Sequence, residues 1–305
     1  MTNSIKDIQI WHDALSPTEA EVEIGVQPEH VFSMTQVRGK LVGPKCRYAS
    51  TVEVAYAFRE SSREYASTGI PRIVCRALIP EPSLWDPISP FMYKGQVELW
   101  ESGKQCQIVP ITHCLRALSL GRSGLRINGA ALNLRGKTVI GPLSETDAVS
   151  LHNQGINTLL VEVGNSTPIL WDMADRLGFV VLTRVSNEQE LKIAASAREK
   201  EVEMRNRAFC LGWLISLPAV EREIALMVAR NLVNAFSTVL LGLELTQMPS
   251  GPLPSGFLFI ACEESLAPSL AEIKMPMLLL ANQETPSTQI AKTSSPVGIL
   301  LGYVN

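Results

Sequence analysis

Along roughly the first 120 residues, apolar and polar positions alternate. Ala20-Glu21-Val22-Glu23-Ile24-Gly25-Val26, Thr51-Val52-Glu53-Val54-Ala55-Tyr56-Ala57-Phe58 and Gln96-Val97-Glu98-Leu99-Trp100 all repeat every second residue. Successive side chains on a strand point to opposite faces, so this period predicts strands with one buried and one wet face. Arg72-Ile73-Val74-Cys75-Arg76-Ala77-Leu78-Ile79 adds a short apolar run, and Ser61-Ser62-Arg63 and Glu101-Ser102-Gly103-Lys104 read as turns between strands. Strands of this length, with turns between them and no comparable helical period, predict an antiparallel, immunoglobulin-like β-sandwich of about seven strands. The segment Ile79 to Tyr93 contains Pro80, Pro82, Pro87 and Pro90. Each proline removes a ladder donor, so this segment is expected to cross between sheets, anchored by Trp85 and Tyr93.

After Leu125 the pattern changes. Asn128-Gly129 separates two short apolar segments, and both residues tolerate the positive φ of a tight hairpin turn. A helical segment ending at Asn153-Gln154-Gly155 leads to the apolar run Leu159 to Val163. A second, Pro168 to Gly178, leads to Phe179-Val180-Val181-Leu182. Gly155 and Gly178 fall where a left-handed helix stop belongs. Helical patterns at 188–205 and 218–236 alternate with strands at 207–216 and 238–245. The Pro- and Gly-rich stretch from Met248 to Gly256 leaves no room for a full helix, and strands follow at 257–262, 277–281 and 297–304. Counted from Leu132-Asn133-Leu134 the strands number eight, which predicts a small, trimmed parallel (β/α)8 barrel of the TIM type. The last strand ends the chain, so the closing helix is expected to be absent. The expected division is a sandwich over 1–120 and a barrel over 121–305.

Composition narrows the function classes. There are 27 basic and 30 acidic residues in 305, a net charge of −3, and 46% hydrophobic residues. No basic run suggests a nucleic-acid partner, and no stretch is long and apolar enough to span a membrane. The amino terminus, Met1-Thr2-Asn3-Ser4-Ile5-Lys6-Asp7, lacks the apolar segment of a secretory leader. Six scattered cysteines without a Cys-x-x-Cys pair suit buried thiols in a reducing compartment, and a cytoplasmic location is expected. The histidines His12, His30, His113 and His152 show no metal-type spacing, and no phosphate-binding glycine loop or nucleophile elbow is present. Neither a metal nor a cofactor is expected.

Four pieces of the chain resemble glycoside hydrolase family 2, the family of β-galactosidases, β-glucuronidases and β-mannosidases. They are the Asn-Gly hairpin leading to Leu134-Arg135-Gly136, the pair Gly155-Ile156-Asn157-Thr158 and Trp171-Asp172-Met173-Ala174-Asp175-Arg176-Leu177-Gly178-Phe179, and the crossing Leu84-Trp85-Asp86-Pro87 to Tyr93. They occur in the family's order and at about its separation. The resemblance implies the family's central sandwich followed by its catalytic barrel, without the jelly-roll domain that precedes them. It also implies two catalytic glutamates, after the fourth and seventh barrel strands.

Retaining glycosidases need two carboxyl groups roughly 5 Å apart, as nucleophile and acid/base. The fourth strand here runs into Leu217-Pro218-Ala219 where the family has its Asn-Glu pair. The family's nucleophile position falls on Ala281 or Asn282. The arginine and Ser-His pair that end the family's second strand are replaced by Glu162-Val163-Gly164-Asn165-Ser166. The expectation is therefore a catalytically degenerate relative, a pseudoenzyme retained to bind a carbohydrate or a protein partner. One alternative is an active glycoside hydrolase with relocated carboxylates, using Glu284 with Glu263 or Glu264. Another is a structural or assembly module. Trp213, Asn282, Gln283 and Glu162 are the candidate sugar contacts. Trp213 is one because the fourth strand's apolar frame and its Trp match the family's, and Asn282 and Gln283 are amides suited to sugar hydroxyls. Glu162 belongs to the acidic cluster with Glu263, Glu264 and Glu284, for which strand-end carboxylates satisfied by Lys137, Arg135 or Arg184 are the other reading. Neighbours on a strand point oppositely, so only one of Glu263 and Glu264 is expected to face the barrel mouth.

Overall fold

The computed structural model describes residues 3–12, 15–65, 71–121, 124–186, 207, 210–216, 240–249, 252–253, 255–270, 272–280 and 300–304. They fall into two compact units. The first comprises Met1–Ala117 with Val202–Ala208, the second Leu118–Glu201 with Phe209–Asn305.

The first unit holds two four-stranded antiparallel sheets. One is formed by β1 (Ile5–His12), β2 (Glu19–Pro28), β6 (Pro71–Pro80) and β5 (Arg59–Tyr65), in that order. The other is formed by β4 (Val54–Ala57), β3 (Thr35–Lys45), β7 (Met92–Glu101) and β8 (Lys104–His113). Alternate residues of the central strands build the core: Val22, Ile24 and Val26 from β2, Ile73, Cys75, Ala77 and Ile79 from β6, and Leu41, Val97 and Leu99 from the second sheet. Burial pushes the Cys75 thiol up to about 12. The proline-rich segment forms no strand between Glu81 and Phe91, as its missing ladder donors require. Its anchors are the buried Trp85 and Tyr93. The Trp85 backbone N–H donates to the Leu115 carbonyl (2.7 Å), and the Tyr93 hydroxyl accepts from the Ser83 N–H (3.0 Å).

Two turn and strand expectations need correction. Ser61-Ser62-Arg63 lies inside β5, where a bulge between Glu60 and Ser62 and a bond from Ser61 Oγ to the Val74 carbonyl hold a polar strand at the sheet edge. An edge strand with so little apolar content reads as a turn in sequence. The run Thr51 to Phe58 shortens to the four residues of β4, which are largely exposed.

The second unit begins with a three-stranded sheet of β9 (Leu118–Gly121), β10 (Gly124–Ile127) and β11 (Ala130–Ala131). Asn128 (φ 51°) and Gly129 (φ 81°) turn β10 into β11 with two positive φ values in succession, the geometry of a tight hairpin. Eight strands then close into a parallel barrel: β12 (Leu134–Val139), β13 (Thr158–Glu162), β14 (Val180–Val185), β15 (Cys210–Ser216), β16 (Leu240–Leu245), β17 (Phe259–Glu263), β18 (Met277–Leu280) and β19 (Leu300–Val304). The ring is completed by β19 against β12, Leu134 opposite Gly302. All six residues of β16 are buried, as expected of strands covered on both faces. The first strand starts later and runs longer than expected, because its exposed Arg135 and Lys137 hide it from an apolar search.

Helix α1 (Glu145–Asn153) starts at Ser144, whose Oγ accepts from the Asp147 N–H (3.1 Å). Helix α2 (Pro168–Leu177) has Thr167 as its N-cap and proline in its first turn. It stops at Gly178, which is left-handed at φ 80°. Trp171, Ala174 and Leu177 bury its inner side. No described residue between β16 and β17 is helical, and a short 3-10 turn, Ala267–Leu270, separates β17 from β18. The helical expectations at 188–205 and 218–236 lie outside the described residues.

Candidate functional site

The carboxyl ends of the barrel strands surround a cavity of about 380 Å³. Strand periodicity decides which side chains reach it. On β13, Leu160 and Glu162 share one face; Glu162 pairs in register with Arg184 on β14, and Arg184 with Leu214 on β15. Leu214 pairs with Gly242 and Ser216 with Glu244 on β16. Glu244 continues to Ala261, two residues before Glu263 on β17. These positions form the inward layers of the ring. Thr138, Glu162, Arg184, Glu244 and Glu263 all border the cavity, with Leu280 and Val304 as its apolar side.

Three charges in this layer are bound to one another. Arg184 reaches across β15 to Glu244, its Nε donating to Oε2 (2.7 Å) and its Nη2 to Oε1. Its Nη1 lies 3.5 Å from Glu162 Oε1, and Ser186 Oγ donates to the other Glu162 oxygen (2.8 Å). Glu244 is only 3% exposed, the most deeply placed carboxylate of the layer. A carboxylate this far from water is held in place by charge-assisted, two-pronged bonds of the kind a guanidinium supplies. Glu162 and Arg184 are half-buried and nearer the rim.

Glu263 borders the cavity, is exposed, and has Ser265 Oγ 3.5 Å away. It sits beside the buried Cys262, whose thiol is raised to about 11 by burial and secondarily by that carboxylate. Glu264 is not among the residues bordering the cavity. It acts instead on Tyr303, whose phenol is raised by burial first and by Glu264 second. Of the two neighbours, then, Glu263 faces the mouth. Trp213 occupies the face of β15 opposite Leu214 and is buried away from the cavity. Asn282, Gln283 and Glu284 lie outside the described residues.

Glu244 was not anticipated from sequence. Its signal is a lone carboxylate near the carboxyl end of the apolar run Leu240-Leu241-Gly242-Leu243-Glu244-Leu245. Such a residue needs a buried partner, and the barrel places Arg184 within reach. Asn165 and Thr246 add neutral hydrogen-bonding groups beside the cavity, and Ile140, 81% exposed, adds an apolar rim. No group of three or more metal-binding side chains exists among the described residues. Among the same residues no helix is long and apolar enough to cross a membrane.

No protein-family model and no curated protein matches the chain. Solved structures do. A glycosyl hydrolase family 2 member from Bacteroides cellulosilyticus superposes with a TM-score of 0.71 at 12% identity, over 98% of this chain and 43% of its own. A β-glucuronidase from Bacteroides uniformis gives 0.71 at 14% identity, over 92% and 40%. A β-glycosidase from Bacteroides vulgatus gives 0.69 at 14%, over 92% and 38%. The chain therefore has the sandwich-plus-barrel fold of family 2 hydrolases and spans less than half the length of these three structures.

Proposed function

We propose that this chain is a family 2-type glycosidase scaffold whose barrel mouth binds a sugar without cleaving it. The observation that supports this most is the occupation of the inward carboxylates. Glycoside hydrolysis asks one carboxyl to donate a proton and another to attack or to activate water. Glu162 and Glu244 are both engaged by Arg184, which withdraws their oxygens from a substrate. The chain has Leu217-Pro218-Ala219 and Ala281-Asn282 at the two positions where the family resemblance puts glutamates. The cavity is at the small end of the roughly 300–1,000 Å³ range of ligand pockets, and it combines an apolar side with convergent polar groups, as sugar sites do.

A second reading keeps catalysis, pairing Glu263 with Glu284. It is favoured by one observation: Glu263 faces the cavity and forms no ion pair among the described residues. Hydrolysis of a panel of aryl β-glycosides by the purified chain, beside a Glu284→Gln variant, separates the two. Sugar binding in calorimetry without turnover is the expected result. Turnover that Glu284→Gln abolishes would replace the binding reading with the catalytic one.

A further inference from the structure

The geometry of Arg184 points to a charge filter. Resting on the reading of the barrel mouth as a sugar site, we infer that it accepts neutral and amino sugars and rejects sugars that carry a carboxylate or phosphate.

Arg184 is the one cation bordering the cavity among the described residues, and so the natural receptor for an anionic sugar there. Its geometry closes it to that role. Nε and Nη2 are committed to the two oxygens of Glu244, and Nη1 faces Glu162. An incoming carboxylate would have to displace Glu244 or approach as a third anion. Displacement strands a carboxylate that is only 3% exposed. Approach without displacement meets a triplet of two anions and one cation, with the exposed Glu263 beside it. Like charges brought together in a desolvated site are strongly disfavoured. A neutral pyranose meets neither penalty, because its hydroxyls donate to the exposed Glu263 carboxylate and accept from Asn165. A protonated amino group gains further from Glu263, the carboxylate nearest to solvent in the layer.

The test is calorimetric titration of the full chain with methyl β-glycosides in matched sets. Each set holds the neutral sugar, its 2-amino-2-deoxy form and its uronate, in both the gluco and galacto configurations. Neutral and amino sugars should bind at least about tenfold more tightly than the uronate. That gap should narrow in high salt and again in Glu263→Gln, an exposed substitution that leaves the buried triplet intact. A uronate that binds as well as the neutral sugar overturns the filter while leaving the sugar site in place. A gap moved neither by salt nor by Glu263→Gln also overturns it, because the discrimination then comes from shape. Absence of binding by every sugar in both configurations removes the sugar site itself, and the filter with it.

Discussion

The two units bury ionisable groups in opposite ways. In the sandwich, His12 on β1 and His113 on β8 bring the two sheets together through a Nδ1–Nε2 contact of 2.9 Å, their rings edge to face. His12 Nε2 donates to the Arg116 carbonyl (2.9 Å), so its Nδ1 is the acceptor and His113 Nε2 the donor. His113 Nδ1 is left buried without a hydrogen-bond partner among the described residues. Burial, with His12 adding to it, holds the His113 pKa well below the usual histidine value. In the barrel the buried carboxyl group of Glu244 is matched by the Arg184 guanidinium. One solution discards the charge and the other neutralises it in place. They therefore fail under different conditions.

The largest expected effect comes from breaking the barrel's solution. Arg184→Met leaves Glu244 buried without its partner and should cost about 3–5 kcal/mol. Hydrogen exchange read separately over the two units should show the loss in the barrel strands. Arg184→Met with Glu244→Leu should recover most of it. A single variant as stable as the parent would mean that Glu244 finds another partner.

The closure of the barrel is the next weak point. Gly302 has φ 147° and lies against the Leu134 backbone carbonyl at the β19–β12 seam. Gly302→Ala should cost about 2–3 kcal/mol from strain and overpacking together, measured by urea unfolding. Among the described residues the two sheets of the sandwich end at β1 and β5 and at β4 and β8.

Acid should then separate the units. The unfolded chain protonates His113 near 6.5, whereas the folded chain resists it. The stability this provides is complete above that pH, falls as pH drops below it, and is gone once pH passes the depressed folded value. The slope should approach about 1.4 kcal/mol per pH unit. His113→Gln keeps a donor toward His12 and cannot titrate, so its thermal unfolding should lose that pH dependence between pH 5 and 7. An unchanged slope in the variant would assign the effect elsewhere.

The smallest effect tests the crossing in the sandwich. Tyr93→Phe removes the hydroxyl that accepts from Ser83 N–H and should cost about 1 kcal/mol. Thermal melts beside the parent would show whether Tyr93 contributes only its ring.

Much of the fold was legible because its signals are local. The Asn128-Gly129 turn, the stop at Gly178 and the proline-rich crossing with Trp85 and Tyr93 depend on a few adjacent residues, and all stand where the pattern put them. The polar edge strand β5 carries too little apolar content to show in the pattern, and bonds such as Ser61 to the Val74 carbonyl hold it in place. The sequence offers Arg184, with Lys137 and Arg135, as a partner for strand-end carboxylates such as Glu162, and the barrel pairs Arg184 with Glu162 and also with Glu244. The family match of the fourth strand makes Trp213 a candidate, and strand parity puts its side chain behind the cavity wall.

By itself the sequence determined the order of the eight barrel strands and the places of α1 and α2, because turns, caps and periodicity act over short distances. It also determined that Glu263 and Glu264 must part company, because neighbours on a strand face opposite ways. Only the tertiary structure decided that Glu162, Arg184 and Glu244, on three strands, share one set of charge-assisted bonds. Barrel closure brings together residues sixty positions apart, and the depth at which it buries Glu244 is what makes Arg184 a structural partner and closes it to anions.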